Sequence, residues 1–179
     1  DTIRLHPCAR PGNFISDNLI KMLSLQLFHK SSSGNLILKI NHCALDKGIY
    51  WLKGANGTGK STLIKCIAGL LPFKGTLTIN NTSLKKDRIS YRQKINFTDA
   101  EPLFPEFLTG TEMIQLFIRA KNGSIHDVEE LMELLNMQHY LQSPVGTYSS
   151  GMLKKLSLAL AFIGKREWIS SIMRSWWDA

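Results

Sequence analysis

Eight consecutive residues constrain this chain more than any other part of it: Gly54-Ala55-Asn56-Gly57-Thr58-Gly59-Lys60-Ser61. They fit G-x-x-x-x-G-K-[ST], a pattern whose chemistry needs a strand before the loop and a helix after it. Both are expected here. Ile49-Tyr50-Trp51-Leu52 is a short, mostly apolar run that reads as a buried strand. Residues 62–71 carry apolar side chains at Leu63, Ile64, Ile67, Leu70 and Leu71, a helical spacing that Pro72 stops. The glycines let the loop wrap closely around phosphate with successive backbone N–H groups turned inward. The following helix, starting near Lys60, adds its positive N-terminal end. The residues set around the phosphates are then Gly54, Asn56, Gly57, Thr58, Gly59, Lys60, Ser61 and Thr62. Lys60 reaches the β- and γ-phosphates, and the Ser61 hydroxyl ligates Mg²⁺. A chance match in a chain of this length is on the order of one in a hundred or rarer. The loop reads as a nucleoside-triphosphate site.

Length and composition narrow what surrounds it. A chain of 179 residues suits one domain, since domains commonly run ~100–200 residues. With 44% hydrophobic and 20% charged residues, collagen-like, mucin-like and wholly disordered classes are excluded. No apolar run approaches the ~18 residues of a spanning helix, so the chain is not expected to cross a membrane by itself. The formal charge of +8 favours anionic partners: nucleotides, nucleic acid or acidic lipid headgroups. Lys85-Lys86-Asp87-Arg88, with Arg92 and Lys94 beyond, reads as a solvated face because no aromatics are interleaved as stacking platforms. Cys8, Cys43 and Cys66 form no C-x-x-C pair, and His6, His29, His42, His126 and His139 are scattered. A disulfide framework and a metal site are therefore not expected, and a reducing cytoplasm is the default.

The remaining pattern is strand-rich first and helical later. Residues 23–27 and 36–45 read as strands joined by a loop at Ser31-Ser32-Ser33-Gly34. Residues 76–80 read as another strand, turned by Asn80-Asn81. Residues 111–120 and 127–135 show helical periodicity around the breaker Asn122-Gly123, with Met132 and Met137 as core, and 153–163 is a third helix. Residues 1–21 show no period and are expected to be a loose extension before a domain that starts near Met22.

Tyr148-Ser149-Ser150-Gly151-Met152-Leu153-Lys154-Lys155-Leu156, directly before a helix, resembles the L-S-G-G-Q/M signature of ATP-binding cassette (ABC) ATPases. Phe28 falls where that family usually places an aromatic that stacks on adenine. Phe104-Pro105-Glu106-Phe107-Leu108-Thr109-Gly110-Thr111-Glu112 looks like the stretch leading into its helical subdomain. These segments occur in the family's order across residues 22–165. The resemblance implies an α/β fold: a P-loop NTPase core of ABC type with an antiparallel β subdomain and a helical signature subdomain. It also implies ATP and Mg²⁺ as ligands, and head-to-tail pairing of two ATP-binding subunits, homo- or heterodimeric. Ser149, Ser150 and Gly151 of one copy would then contact the γ-phosphate held by the other. The lineage's expected role is the ATP-binding, and in full-length form ATP-hydrolysing, subunit of a transporter. It would sit peripherally on the cytoplasmic face of the membrane against a separate membrane-spanning permease, with no nucleic acid partner.

Three departures qualify that expectation. Ser150 replaces the first signature glycine, a mild change. Ala100, between Asp99 and Glu101, occupies the place of a Mg²⁺-ligating glutamine. By register, Ile172 and Met173 stand where the family has a strand-ending Asp-Glu, and Glu167 and Asp178 are the only acids nearby. Agreement stops abruptly near Ile169, as a slipped reading frame would produce, which also makes Trp168, Trp176 and Trp177 core or off-frame residues. The expected organisation is thus an extension (1–21), a partial ABC domain (22–169) and an atypical tail (170–179), with the C-terminal part of the core missing. Lacking an inner strand of its parallel sheet, such a chain is expected to be marginally folded and to bind ATP weakly without turnover. Two rival readings are a non-catalytic or inert truncated product and a soluble ABC ATPase of DNA repair or translation. The latter's relatives usually carry a coiled-coil insertion or tandem cassettes, absent here. The transported substrate is not written in the sequence.

Overall fold

The computed structural model describes residues 4–7, 22–32, 35–46, 48, 50–99, 101–164 and 168–171. The chain divides into two compact units, Asp1–Arg92 and Gln93–Ala179.

In the first unit, β1 (Arg4–Pro7), β2 (Leu23–Ser32), β3 (Asn35–Leu45) and β4 (Tyr50–Lys53) lead into α1 (Lys60–Ile67). Then come β5 (Lys74–Ile79) and β6 (Thr82–Ser83). An antiparallel sheet of order β3-β2-β5-β6 forms the expected β subdomain. Its register sets Leu23 against Leu45 and Ile79, and Leu25 against Cys43 and Leu77. Period-2 alternation thereby collects Leu23, Leu25, Leu45, Leu77 and Ile79 into one buried layer, with Cys43 half-buried. Asn80 and Asn81 both take left-handed φ, 44° and 62°, the geometry that tight hairpin turns need and that asparagine tolerates.

Several boundaries differ from the sequence reading. Ser31 and Ser32 belong to β2, because pairing with β3 outweighs their turn preference. The helix after the phosphate loop ends at Ile67, not Leu71: Gly69 turns left-handed, and the Leu70 and Leu71 N–H groups both fold back to Lys65 O. Arg4–Pro7, within the stretch expected to be loose, pairs antiparallel with β4. The basic run also contains an unforeseen helix, α2 (Arg88–Lys94), begun by Asp87, whose carboxylate accepts from Ser90 N–H at 3.0 Å. Lys85, Lys86 and Arg88 are exposed, as expected of a solvated face. Tyr91 is buried and its hydroxyl donates to Ile67 O at 2.7 Å, fixing the end of α1. Burial drives that phenol far above its ordinary pKa.

The second unit holds β7 (Ile95–Thr98), α3 (Gly110–Lys121), α4 (Glu129–Leu134), α5 (Ser150–Ala161) and β8 (Trp168–Ser171). The three helices enclose a core that includes Met113, Met132, Met137, Leu156 and Leu160. The two methionines expected in the core, Met132 and Met137, are both there. Thr109 caps α3 in a reciprocal box with Glu112, and Asn122 closes it at φ 49°. Ser124 opens a 3₁₀ turn over Ile125–Asp127, so the helix expected from residue 127 begins at Glu129.

β8 corrects the expectation that the inner strand breaks off at Ile169. It runs parallel to β7 from Ile95↔Trp168 through Thr98↔Ser171. A parallel ladder is made by backbone N–H and C=O groups, so two serines extend it where apolar residues were anticipated. Ile172, Met173, Glu167, Trp176, Trp177, Asp178 and Ala100 lie outside the described residues.

Candidate nucleotide-binding site

β4 delivers the chain into the glycine loop, and α1 carries it away. Gly57 and Gly59 take φ values of 83° and 92°, a region that costs other residues ~1–2 kcal/mol. The loop closes on itself through Thr58, whose N–H and hydroxyl both donate to Ala55 O, at 3.4 and 2.9 Å. Gly59 stands at the N-cap of α1 without any capping side chain. The first helical bond is Leu63 N–H to Gly59 O at 2.8 Å, so the amides just before Leu63 have no intrahelical acceptor. Lys60 folds its ammonium back onto the loop, donating to Gly54 O at 2.5 Å and Ala55 O at 2.9 Å. Ser61 is exposed and Thr62 half-buried on the first turn.

This donor set fits a triphosphate. A Cβ built on Gly57 would meet nothing within 4 Å, which leaves room on the outer side of the loop. The Lys60 ammonium is held by neutral carbonyls that an anion can replace, since a bond with both donor and acceptor charged is the stronger of the two. Ser61, exposed at the start of α1, carries a hydroxyl that could hold Mg²⁺, whereas the Thr58 hydroxyl is turned to Ala55 O.

Gly59 is held for a second reason. A Cβ there would stand 3.0 Å from Leu38 Cγ and 3.1 Å from Ile37 Cγ2. β3 thus backs the loop with two aliphatic side chains, a contact invisible to motif reading because it joins residues about twenty positions apart.

Phe28 is corrected. It is 0% exposed and its ring stacks on Phe73 with centroids 5.0 Å apart. The register shift beside it, where Leu27 takes φ 50°, turns Phe28 into the packed interior. A ring with no accessible face cannot receive a base.

The signature residues come together at the start of α5. Ser149 is the N-cap: its Oγ accepts from Met152 N–H at 3.3 Å, and its own N–H points at Met152 Sδ at 3.4 Å. Ser149, Ser150 and Gly151 are all exposed. Around a Cβ on Gly151 the nearest atom is Ser149 Oγ at 3.8 Å, so none of the described residues requires a glycine there. Ser150 sits in the first turn of the helix with room for its side chain. Just before them, Tyr148 is buried. Its hydroxyl donates to Tyr140 O at 2.9 Å, and its ring meets Tyr140 edge-on at 5.0 Å. A Cβ on Gly110 would run into the Tyr148 hydroxyl. Burial raises the Tyr148 phenol pKa. The serine cap therefore stands on a fixed post.

At the far end of α5, Asn96 of β7 is buried and donates through Nδ2 to Ala161 O at 2.8 Å and Ile163 O at 2.9 Å. Nothing in the sequence signalled this link, since an asparagine inside an apolar strand carries no motif.

Residues 39–169 match the family described as ABC transporter. The cytochrome c biogenesis ATP-binding export protein CcmA of Legionella pneumophila is 34% identical over 119 residues, 66% of this chain and 59% of that protein. The ATP-binding cassette sub-family A member 2 of Homo sapiens is 31% identical over 159 residues, 83% of this chain and 6% of that protein. A solved ATP-binding subunit of an ABC transporter superposes with a TM-score of 0.65 at 24% identity, covering 78% of this chain and 61% of its own. The chain spans about three fifths of the length of that solved subunit and of the Legionella CcmA. With a glycine loop between strand and helix, a capped signature turn and a family match over most of its length, the chain belongs to the ABC transporter family.

Proposed function

We propose that this chain binds Mg-ATP at Gly54, Asn56, Gly57, Thr58, Gly59, Lys60, Ser61 and Thr62, as the ATP-binding subunit that energises a transporter. The observation that carries the reading is Lys60, whose ammonium lies folded into a loop shaped by two left-handed glycines. On binding, Lys60 exchanges the carbonyls of Gly54 and Ala55 for phosphate oxygens, and the free amides at the start of α1 face the same oxygens. Mg²⁺, when bound through Ser61, supplies positive charge against the phosphates. Ser149 contributes to a second copy's nucleotide. Its hydroxyl already accepts from Met152 N–H and keeps its own proton to donate, while the open space over Gly151 admits close approach.

The partners in this reading are a second ATP-binding subunit and a membrane-spanning permease. No helix among the described residues is long and apolar enough to cross a membrane; in this reading the chain sits on the cytoplasmic face of that permease. Leu103 at 96% and Phe107 at 80% exposure offer that partner apolar surface beside Phe104, which packs into the helical core. Titration with a ribose-labelled fluorescent ATP in Mg²⁺ tests the site. Lys60→Ala is expected to weaken binding by ~10–100-fold, the worth of one bond to a charged group. Equal affinity in the two proteins would overturn the reading.

A further inference from the structure

The basic run around α2 is built more firmly than a merely solvated face requires. Tyr91 anchors the helix from within, buried and with its hydroxyl on Ile67 O. Arg88, Ile89 and Arg92 are exposed, and helical spacing sets them together on the side away from Tyr91. Arg92 donates to Gly69 O at 3.2 Å, which seats this side of α2 against the turn that closes α1. Leu70 stands in that turn, 58% exposed, and Ile89 is 75% exposed. On the way into α2, the Lys85 ammonium lies 5.5 Å from the centre of the Phe73 ring, beside which Lys74 is exposed. Residues 65–92 hold Lys65, Lys74, Lys85, Lys86, Arg88 and Arg92 against the single acid Asp87. That carboxylate is turned to Ser90 N–H at the start of α2. Two aliphatic side chains thus stand in water within a collar of anchored cations.

We propose that this face rests directly on an anionic lipid bilayer, with Ile89 and Leu70 entering the headgroup layer and the surrounding cations meeting lipid phosphates and carboxylates. Stable attachment to a membrane surface draws on apolar burial and on charge, and both are present here. A Lys or Arg near an anionic surface is worth about fivefold in partition, so four acting together are worth a few hundredfold. The exposed aliphatics favour a bilayer over nucleic acid, whose unpaired bases need free rings to stack on; Phe73 is already engaged by Phe28 and Lys85. The cytoplasmic leaflet carries the anionic lipids, which agrees with the proposed place of the subunit. The contact needs neither nucleotide nor permease and stands independently of the transporter reading.

Sedimentation of the full chain with sucrose-loaded vesicles tests it, using phosphatidylcholine alone or mixed with phosphatidylserine, without nucleotide. The wild-type protein is expected to partition onto the anionic vesicles at least about tenfold more strongly than onto the neutral ones. Lys85→Ala/Lys86→Ala is expected to lower that partition about 25-fold, and Lys85→Arg/Lys86→Arg to preserve it. Ile89→Ser leaves the charge unchanged and is expected to lower partition about tenfold, while Ile89→Leu retains it. Lys39→Ala/Arg119→Ala removes the same charge from two other exposed positions and should stay within about threefold of wild type. No preference for anionic vesicles, or an equal loss in the Lys39/Arg119 variant, would overturn the proposal. Unchanged partition in Ile89→Ser would do the same, since the apolar contact would then be absent. A DNA duplex that strips the protein from the vesicles at equal phosphate concentration would overturn it too and assign the face to nucleic acid.

Discussion

Two glycines that look alike in the sequence do opposite physical work. Gly59 has φ 92° and two aliphatic side chains against the position of its missing Cβ. Gly59→Ala is expected to cost ~1–2 kcal/mol through the left-handed backbone alone, read as a lower urea midpoint at unchanged slope. Gly151 lies in ordinary helix with open space around it. Gly151→Ala should leave stability unchanged or raise it by up to ~1 kcal/mol, because glycine is a poor helix residue. Its cost is expected elsewhere, as weaker nucleotide-driven pairing of two copies in sedimentation. A stability loss like that of Gly59→Ala would tie Gly151 to the fold and remove the argument from its open surface.

At the scale of elements, α3 and α5 are each fixed at an end by one polar residue. Thr109 donates through its N–H and its hydroxyl to Glu112 Oε2, at 2.8 and 2.9 Å. These bonds hold the Glu112 carboxyl below its ordinary range, the backbone bond contributing most. A carboxyl whose pKa is lower in the folded chain stabilises it above the unfolded pKa, and that stabilisation is lost as pH falls through the lowered value. Glu112→Gln is therefore expected to flatten the acid limb of the thermal midpoint, measured from neutral pH downwards. A parallel curve for the variant would mean the cap does not report on α3. At α5 the tie is Asn96, whose amide serves two carbonyls at the helix end, while its own Oδ1 is buried with no hydrogen-bond partner among the described residues. Asn96→Ala leaves both carbonyls short of a donor and is expected to cost ~1–3 kcal/mol. Hydrogen exchange should localise the loss to the last turn of α5 and to β7.

At the scale of the molecule the charge is polarised. Residues 1–92 hold 14 Lys+Arg and 4 Asp+Glu, hence +10; residues 93–179 hold 8 and 10, hence −2, which together give the +8 of the chain. The head-to-tail pairing proposed above would set a basic unit against an acidic one, adding field attraction to the nucleotide bridges. Raising salt from about 50 to about 300 mM is expected to weaken ATP-dependent association several-fold, since the Debye length at such ionic strengths falls to ~10 Å or less. Light scattering at the two salts reads this directly. Association that is indifferent to salt would assign it to short-range contacts alone.

The phosphate loop, the capped signature turn, the helical core around Met132 and Met137 and the antiparallel β subdomain were legible in the sequence, because each is written in neighbouring residues: glycines at fixed offsets, a serine before a helix, alternation of period two or near four. What the tertiary structure alone decided joins distant residues. Phe28 reads as a stacking aromatic until a shift in strand pairing buries it against Phe73. Ile37 reads as one more apolar strand residue until a bulge turns it to Gly59. Asn96 is a stray polar residue until Ala161 and Ile163 bring their carbonyls to it. β8 reads as a broken strand until β7 supplies its backbone partners through Ser171. Local pattern fixes what an element is; register and packing, made of contacts tens of residues apart, fix which of its side chains are free to meet a ligand.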